Sequence, residues 1–310
     1  MFIYKIKNLK ILGNVPLAPL STFRIGGKAE LFCAVRTPDG FIRAIEWAKE
    51  NKIPYRVFAG GSNIVFPDEG LKGLLIRFHG GSLEISNNAI IADAGVPLMK
   101  VISVAIRHGL RGLETLSGIP GTVGGATVGN AGAYGHSISE AVRRVEVWDG
   151  KRRKWIANKA CKFAYRESAL KHRPLLVLRV ELRFRKGDRK ELQKKSKETV
   201  LIREKKYQPG IKCPGSFFKN VVASDVSHFV MKRIDTSKII GGKIPTGYLL
   251  EEVGAKGMRQ GGIRIPEFHG NLFENIGKAT AKDVKKLAEI LRKKVKTKFG
   301  ITLEEEVRYF

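Results

Sequence analysis

Apolar residues recur at helical spacing in three stretches of the chain and alternate with polar ones in several shorter stretches. Phe41, Ala44, Ile45 and Ala48 share one face of residues 40–52, which predicts an amphipathic helix. A second helix is predicted through Val101, Ala105 and Arg107, opened by Pro97 and stopped at Gly109. Val284, Leu287, Leu291 and Val295 mark a third, with Thr280 and Asp283 spaced as a capping box and Gly300 as its stop. Leu178, Val180, Leu182 and Phe184 alternate with Arg179, Glu181, Arg183 and Arg185, the pattern of a half-buried strand. LLIRF, AIIADAG and the closing ITLEEEVRYF also read as strands. RVEVWDGKRRKWIAN reads as a hairpin turning at Asp149–Gly150, and PYRVFAGGSNIVF as a strand, a glycine turn and a second strand. The fold class is therefore α+β rather than regular strand–helix alternation. A basic helix from about Arg189 to Lys206 marks a boundary between residues 1–188, in subdomains of about 1–80 and 81–188, and residues 189–310.

The 310 residues, 43% hydrophobic and 28% charged, suffice for two domains or for one large domain with a full core. No apolar run is long enough to span a bilayer, and MFIYKIKNLKILG lacks a signal-peptide pattern. Cys33, Cys161 and Cys213 are distant from one another and form no CxxC, which points to free thiols in a reducing compartment rather than a disulfide or zinc framework. The net charge of +28 would attract polyanions. The lysines are spread along KKSKETVLIREKK and KDVKKLAEILRKKVKTK as solvated helix faces, with no nucleic-acid-binding motif. An anionic small substrate, or simply a compositional bias of the host, accounts for the charge equally well.

Glycine, at 34 residues, concentrates where chemistry is expected. Gly60-Gly61-Ser62-Asn63 could wrap a pyrophosphate with bare N–H groups, although alone it reads more readily as a plain hairpin turn. Gly118-Ile119-Pro120-Gly121-Thr122-Val123-Gly124-Gly125, continuing to Asn130-Ala131-Gly132-Ala133-Tyr134-Gly135, is costly to order. A large flat ligand against bare backbone would offset that cost. A dinucleotide-binding Rossmann fingerprint does not fit, because no strand leads directly in and no acidic residue follows at the right distance. Tyr165-Arg166-Glu167-Ser168, Gly215-Ser216-Phe217-Phe218-Lys219-Asn220 and Leu303-Glu304-Glu305-Glu306-Val307 are each unremarkable alone.

In this order, the five segments resemble the UDP-N-acetylmuramate dehydrogenases, also called UDP-N-acetylenolpyruvoylglucosamine reductases, of bacterial cell-wall synthesis. The resemblance runs from about Leu20 to the C-terminus and places the chain in the compact class that lacks an extra tyrosine-bearing loop. It implies an FAD-binding fold of the vanillyl-alcohol-oxidase type in two subdomains over residues 1–188. A C-terminal α/β substrate-binding domain would follow over residues 189–310. It also implies non-covalent FAD, NADPH as hydride donor and a UDP-sugar substrate, in a cytoplasmic, monomeric enzyme of peptidoglycan precursor synthesis that neither binds nucleic acid nor inserts in a membrane.

By the same resemblance, Gly60, Gly61, Ser62 and Asn63 hold the pyrophosphate, and Ile119, Gly121, Thr122, Gly125, Asn130 and Ala131 line the rest of the cofactor. Ser216 protonates C2 of the enolpyruvyl group, Arg166 clamps the substrate carboxylate, and Glu306 hydrogen-bonds the enol, with Glu304 as the nearby alternative. Strand alternation would put both glutamates on one face. Tyr165, Lys219 and Asn220 are substrate-binding candidates, with Lys219 and Asn220 in sequence range to assist Ser216. Arg259, His269 and Asn271 are weaker candidates. A flavin-dependent alcohol or sugar oxidase of the same superfamily and a basic nucleic-acid-binding protein are the alternatives.

Overall fold

The structure is a computed structural model and describes residues 2–6 and 9–310. The chain forms two compact units. The first comprises Met1–Val15, Ala29–Gly61 and Lys72–Lys205, and the second Pro16–Lys28, Ser62–Leu71 and Lys206–Phe310.

The first unit carries two five-stranded sheets. One is ordered Phe2–Ile6, Leu9–Pro16, Lys28–Val35, Leu71–Phe78, Tyr55–Phe58, and the last two strands run parallel. The other is ordered Arg153–Ala157, Val142–Trp148, Leu176–Arg183, Ala89–Asp93, Leu83–Ser86, and is antiparallel throughout. The predicted helices appear as Pro38–Glu50 and Leu98–Arg107. Phe41, Ala44, Ile45 and Ala48 are buried as their spacing requires, each such burial stabilising by up to about 1.5–3 kcal/mol for the larger side chains. Leu178, Val180, Leu182 and Phe184 are buried in the same core. On the opposite face of that strand, Glu181 is also buried, because Arg143 and Arg144 of the neighbouring strand reach its carboxylate. A buried carboxylate needs such partners. The Asp149–Gly150 hairpin forms as read, with Asp149 accepting from the Lys151 and Arg152 amides.

The second unit packs the helix Ala281–Phe299 against Phe217, Phe218 and Phe273. Thr280 and Asp283 make the reciprocal capping box, and Gly300 ends the helix at φ +77°. Phe217 and Phe273 stack with ring centroids 3.8 Å apart. A small sheet of Arg259–Gln260, Ile263–Arg264 and Glu274–Asn275 completes this unit with the pairs Val221–Val222/Lys243–Ile244 and Ile64–Val65/Arg308–Tyr309.

These units depart from a single cut at residue 188. The basic helix is Arg189–Lys206, but Leu192 lies in the first core and Ser196 hydrogen-bonds Ser117 at 2.8 Å, so the helix up to Lys205 belongs to the first unit. Two N-terminal segments belong to the second unit because hydrogen bonds between side chains and main chain tie them to it. Asn275 donates to the Phe23 and Arg24 carbonyls, and Asp68 accepts the Ala281 and Lys282 amides at the start of the last helix. Two further expectations change. The strands flanking the Gly60–Asn63 turn enter different sheets, so the segment is not a hairpin. ITLEEEVRYF is strand only at Arg308–Tyr309, with an isolated bridge at Glu305. Among the described residues, no helix is long and apolar enough to cross a membrane.

Candidate functional site

In the first unit, two of the predicted glycine segments meet. A Cβ on Gly60 would lie 2.7 Å from Gly121 Cα, a distance only glycine permits, and Gly121 itself sits at φ +113°. Gly61 is the last residue of this unit before the chain passes to Ser62 and Asn63 in the second. Thr122 then caps a short helix, Val123–Gly129, by accepting from Gly125 N at 3.2 Å. The middle of the glycine-rich segment is thus helix rather than loop. Gly124 has a packing reason, since a Cβ there would meet Ala94 Cβ at 2.6 Å. Gly125, by contrast, would bring its Cβ near nothing but the Thr122 hydroxyl, and Gly129 and Gly135 near nothing within 4 Å. Ile119 packs half-buried on the core, and Ala131 N donates to Ala126 O at 2.8 Å. Close-set main chain beside glycines that leave open space is an arrangement that fits a flat dinucleotide such as FAD.

Asn130 ends that helix in the left-handed region at φ 44°. Its buried side chain donates to Ala164 O at 2.7 Å and accepts from Ser139 N at 3.3 Å. The structure therefore gives its amide a framework task, tying the helix end to the turn that carries Tyr165 and Arg166. That turn closes through Ala164 and Glu167, which exchange backbone hydrogen bonds at 3.0 and 3.1 Å. Ser168 is buried and donates to Val128 O at 2.7 Å. Arg166 adopts φ 54°, a left-handed conformation costing an arginine on the order of 1–2 kcal/mol. Its Nη2 donates to Gly132 O at 2.8 Å, and its guanidinium lies 5.4 Å from the Tyr165 ring. Lys171 supports the turn from below, donating to Arg166 O and to Glu167 at 2.9 Å. A strained, braced arginine is a common feature of binding sites.

In the second unit, Ser216 and Glu306 stand on adjacent lengths of chain. Phe218 bridges Glu305, and Glu306 N donates to Phe217 O at 2.8 Å. Asn63 donates to the Glu306 carbonyl at 2.9 Å and accepts from Arg308 N at 3.1 Å, so its side chain and backbone pin the acidic segment. The Thr22 hydroxyl donates to Cys213 O at 2.7 Å, with Ser62 O 3.4 Å away. Two of the three glutamates have separate basic partners. Glu304 is 70% exposed and pairs with Lys219, while Glu305 pairs with Arg292. Asn220 accepts from Thr246 N at 3.1 Å. The Ser216 hydroxyl lies 2.7 Å from the Tyr207 hydroxyl, a residue that carried no sequence signal.

The comparisons with known proteins agree along the whole chain. Residues 207–310 match the family model described as the C-terminal domain of UDP-N-acetylenolpyruvoylglucosamine reductase, and residues 29–152 match an FAD binding domain. The UDP-N-acetylenolpyruvoylglucosamine reductase of Solibacter usitatus is 41% identical, over 98% of each chain. The chain belongs to the UDP-N-acetylenolpyruvoylglucosamine reductase family. The reductase of Caldanaerobacter subterraneus is 33% identical over 98% of this chain and 94% of its own. The crystal structure of the UDP-N-acetylenolpyruvylglucosamine reductase of Thermus caldophilus superposes with a TM-score of 0.76 at 31% identity, covering 97% of this chain and 98% of that one.

Within this reductase scaffold, Asn271 matters more than its sequence context suggests. It is buried, accepts from Phe218 N at 2.9 Å and donates to Phe218 O at 2.8 Å, clamping the segment that carries Ser216. His269 accepts from Asn271 N at 3.2 Å. Burial, with Lys206 adding to it, pushes His269 down to about 4, so the ring is neutral near pH 7. Burial also raises the thiols, Cys33 and Cys161 to about 11, and with Cys213 all three are free and buried. Such thiols are inert rather than nucleophilic. Arg259 lies exposed at the end of the small sheet.

Proposed function

We propose that this chain catalyses the NADPH-dependent, FAD-mediated reduction of UDP-N-acetyl-3-O-(1-carboxyvinyl)-glucosamine to UDP-N-acetylmuramate. The observation that carries this reading is the approach of Gly60 to Gly121, which joins two cofactor segments in a chain of the reductase family. FAD bound there would supply the hydride chemistry that links NADPH to C3 of the enolpyruvyl group. Backbone amides at Gly60 and Gly61, with Ser62 and Asn63, would hold its pyrophosphate. Ile119, Gly121, Thr122, Gly125 and Ala131 would line the remainder, with Asn130 acting through the backbone it fixes.

The protein's own work is to orient the substrate and manage one proton. Arg166 would grip the substrate carboxylate, for which a planar guanidinium is better matched than an ammonium. Ser216 would give its proton to C2, and Glu306 would hydrogen-bond the enol oxygens. The exposure of Glu304 and its pairing with Lys219 support Glu306 over Glu304 in that role. Tyr165, Lys219 and Asn220 would face the rest of the substrate. The positive charge suits a diphosphate substrate. Membership of the reductase family favours this reading over a flavin oxidase or a nucleic-acid-binding protein. Three buried free thiols support a cytoplasmic setting, and size-exclusion chromatography checks the expected monomer.

The deciding experiment is the visible spectrum of the purified protein. The expected protein is yellow, bleaches on anaerobic addition of NADPH, and recovers its colour on addition of the enolpyruvyl substrate. A colourless protein, or one that recolours with oxygen but not with that substrate, would reject the reading.

A further inference from the structure

Ser216 is a weak acid by nature, so a proton it gives to carbon must be replaced at once or leave an alkoxide. The structure puts one hydroxyl beside it. Tyr207 OH lies 2.7 Å from Ser216 Oγ, within hydrogen-bond range, and either atom can donate. Phenols are far stronger acids than alkanols, about 10 for a free tyrosine side chain. Tyr207 is half-buried, so its ring is held while its surroundings still reach water.

The placement is built rather than incidental. A single segment, His269–Leu272, sets both hydroxyls. Leu272 bridges Ser216, and Asn271 accepts from Phe217 N at 3.0 Å through its carbonyl while its side chain clamps Phe218. His269 meets the Tyr207 ring edge-on, with centroids 5.8 Å apart at 63°. The Asn271 amide directed at His269 Nδ1 fixes that imidazole in turn.

We propose that Tyr207 relays a proton through Ser216 to the substrate, serving as a positioning residue for the acid rather than touching the substrate itself. This rests on Ser216 being the acid proposed above. In the step, the electron pair on C2 takes the Ser216 hydroxyl proton to form the new C–H bond. The Tyr207 O–H bond breaks as its proton passes to Ser216 Oγ. The resulting phenolate recovers a proton from water, so that one solvent proton is consumed per turnover.

The test uses stopped-flow reoxidation of the NADPH-reduced holoenzyme by the enolpyruvyl substrate, with Y207F, S216A and the double variant. The flavin spectrum and thermal midpoint verify that each variant folds. Y207F keeps the ring against His269 and is expected to slow reoxidation about 10- to 100-fold, less than the ~10²–10⁴-fold typical of losing the acid itself. Measured against solvent deuterium content, the rate should curve in the unaltered enzyme, as two protons in flight require, and become straight in Y207F. The double variant should be no slower than S216A. If S216A alone reoxidises at the unaltered rate, the acid assignment fails. If S216A is slow while Y207F reoxidises normally, or while the deuterium dependence is straight in the unaltered enzyme, the relay alone fails.

Discussion

The two candidate regions solve the same problem with opposite materials. Around Gly60, Gly121 and Gly125, the first unit offers main chain, and side chains are absent where they would obstruct. Around Ser216, the second unit offers side chains, held in place through hydrogen bonds made by Asn271, His269 and Asn63. A region made of backbone recognises by shape and fixed dipoles and tolerates no added atom. A region made of side chains does proton chemistry and fails when one hydrogen bond is lost. Cofactor retention and proton transfer should therefore be separable by mutation.

The sharpest separation is Ser216→Ala, which should leave flavin binding and its reduction by NADPH intact and slow substrate reduction by about 10²–10⁴-fold. Equal rates for the second half-reaction in stopped flow would remove Ser216 from its role.

A smaller effect of a different kind follows from His269. Its pKa is lowered to about 4 from the ordinary 6.5, so between these values the unfolded chain binds the proton that the folded one refuses. Stability from this residue is complete above about pH 6.5 and is lost as the pH falls toward 4, on the order of 3 kcal/mol in all. Urea unfolding of His269→Gln against pH should show a flatter slope in that window; an unchanged slope would place the titration elsewhere.

On the backbone side, Gly60→Ala forces a Cβ against Gly121 Cα and should cost about 1–3 kcal/mol of stability together with retention of the yellow cofactor. Desalting followed by an absorbance ratio reads the latter. Gly129→Ala is the control, since its Cβ meets nothing within 4 Å. Better helix propensity should raise the thermal stability of the flavin-free protein by about 0.5–1 kcal/mol. A loss there comparable to that of Gly60→Ala would erase the distinction between close approach and open space.

Local periodicity carried the helices. The spacing of Phe41 to Ala48 and of Val284 to Val295 coincides with their buried faces, because one repeated interaction with a core sets both. The capping box at Thr280 was legible because both partners lie within four residues. Long-range pairing was not legible in this way. The Gly60–Asn63 turn looked like a hairpin because nothing local reveals that its two strands enter different sheets. Glu181 read as a solvent-facing position, yet Arg143 and Arg144 from a neighbouring strand allow its burial. Tyr207 carried no signal because its meaning is the 2.7 Å separation from Ser216, which depends on where the segment His269–Leu272 folds back.

The amino-acid order alone thus settled the mix of helix and strand, the glycine segments and the set of motifs that announced the family, since each depends on neighbours along the chain or on an ordered series of short patterns. Tertiary structure decided which glycines are packed and which face open space, which glutamate is tied to Lys219, and why residues 16–28 and 62–71 belong with the C-terminal unit. Those outcomes rest on hydrogen bonds and contacts between residues far apart in sequence, whose energies exist only once the chain has closed the loops between them.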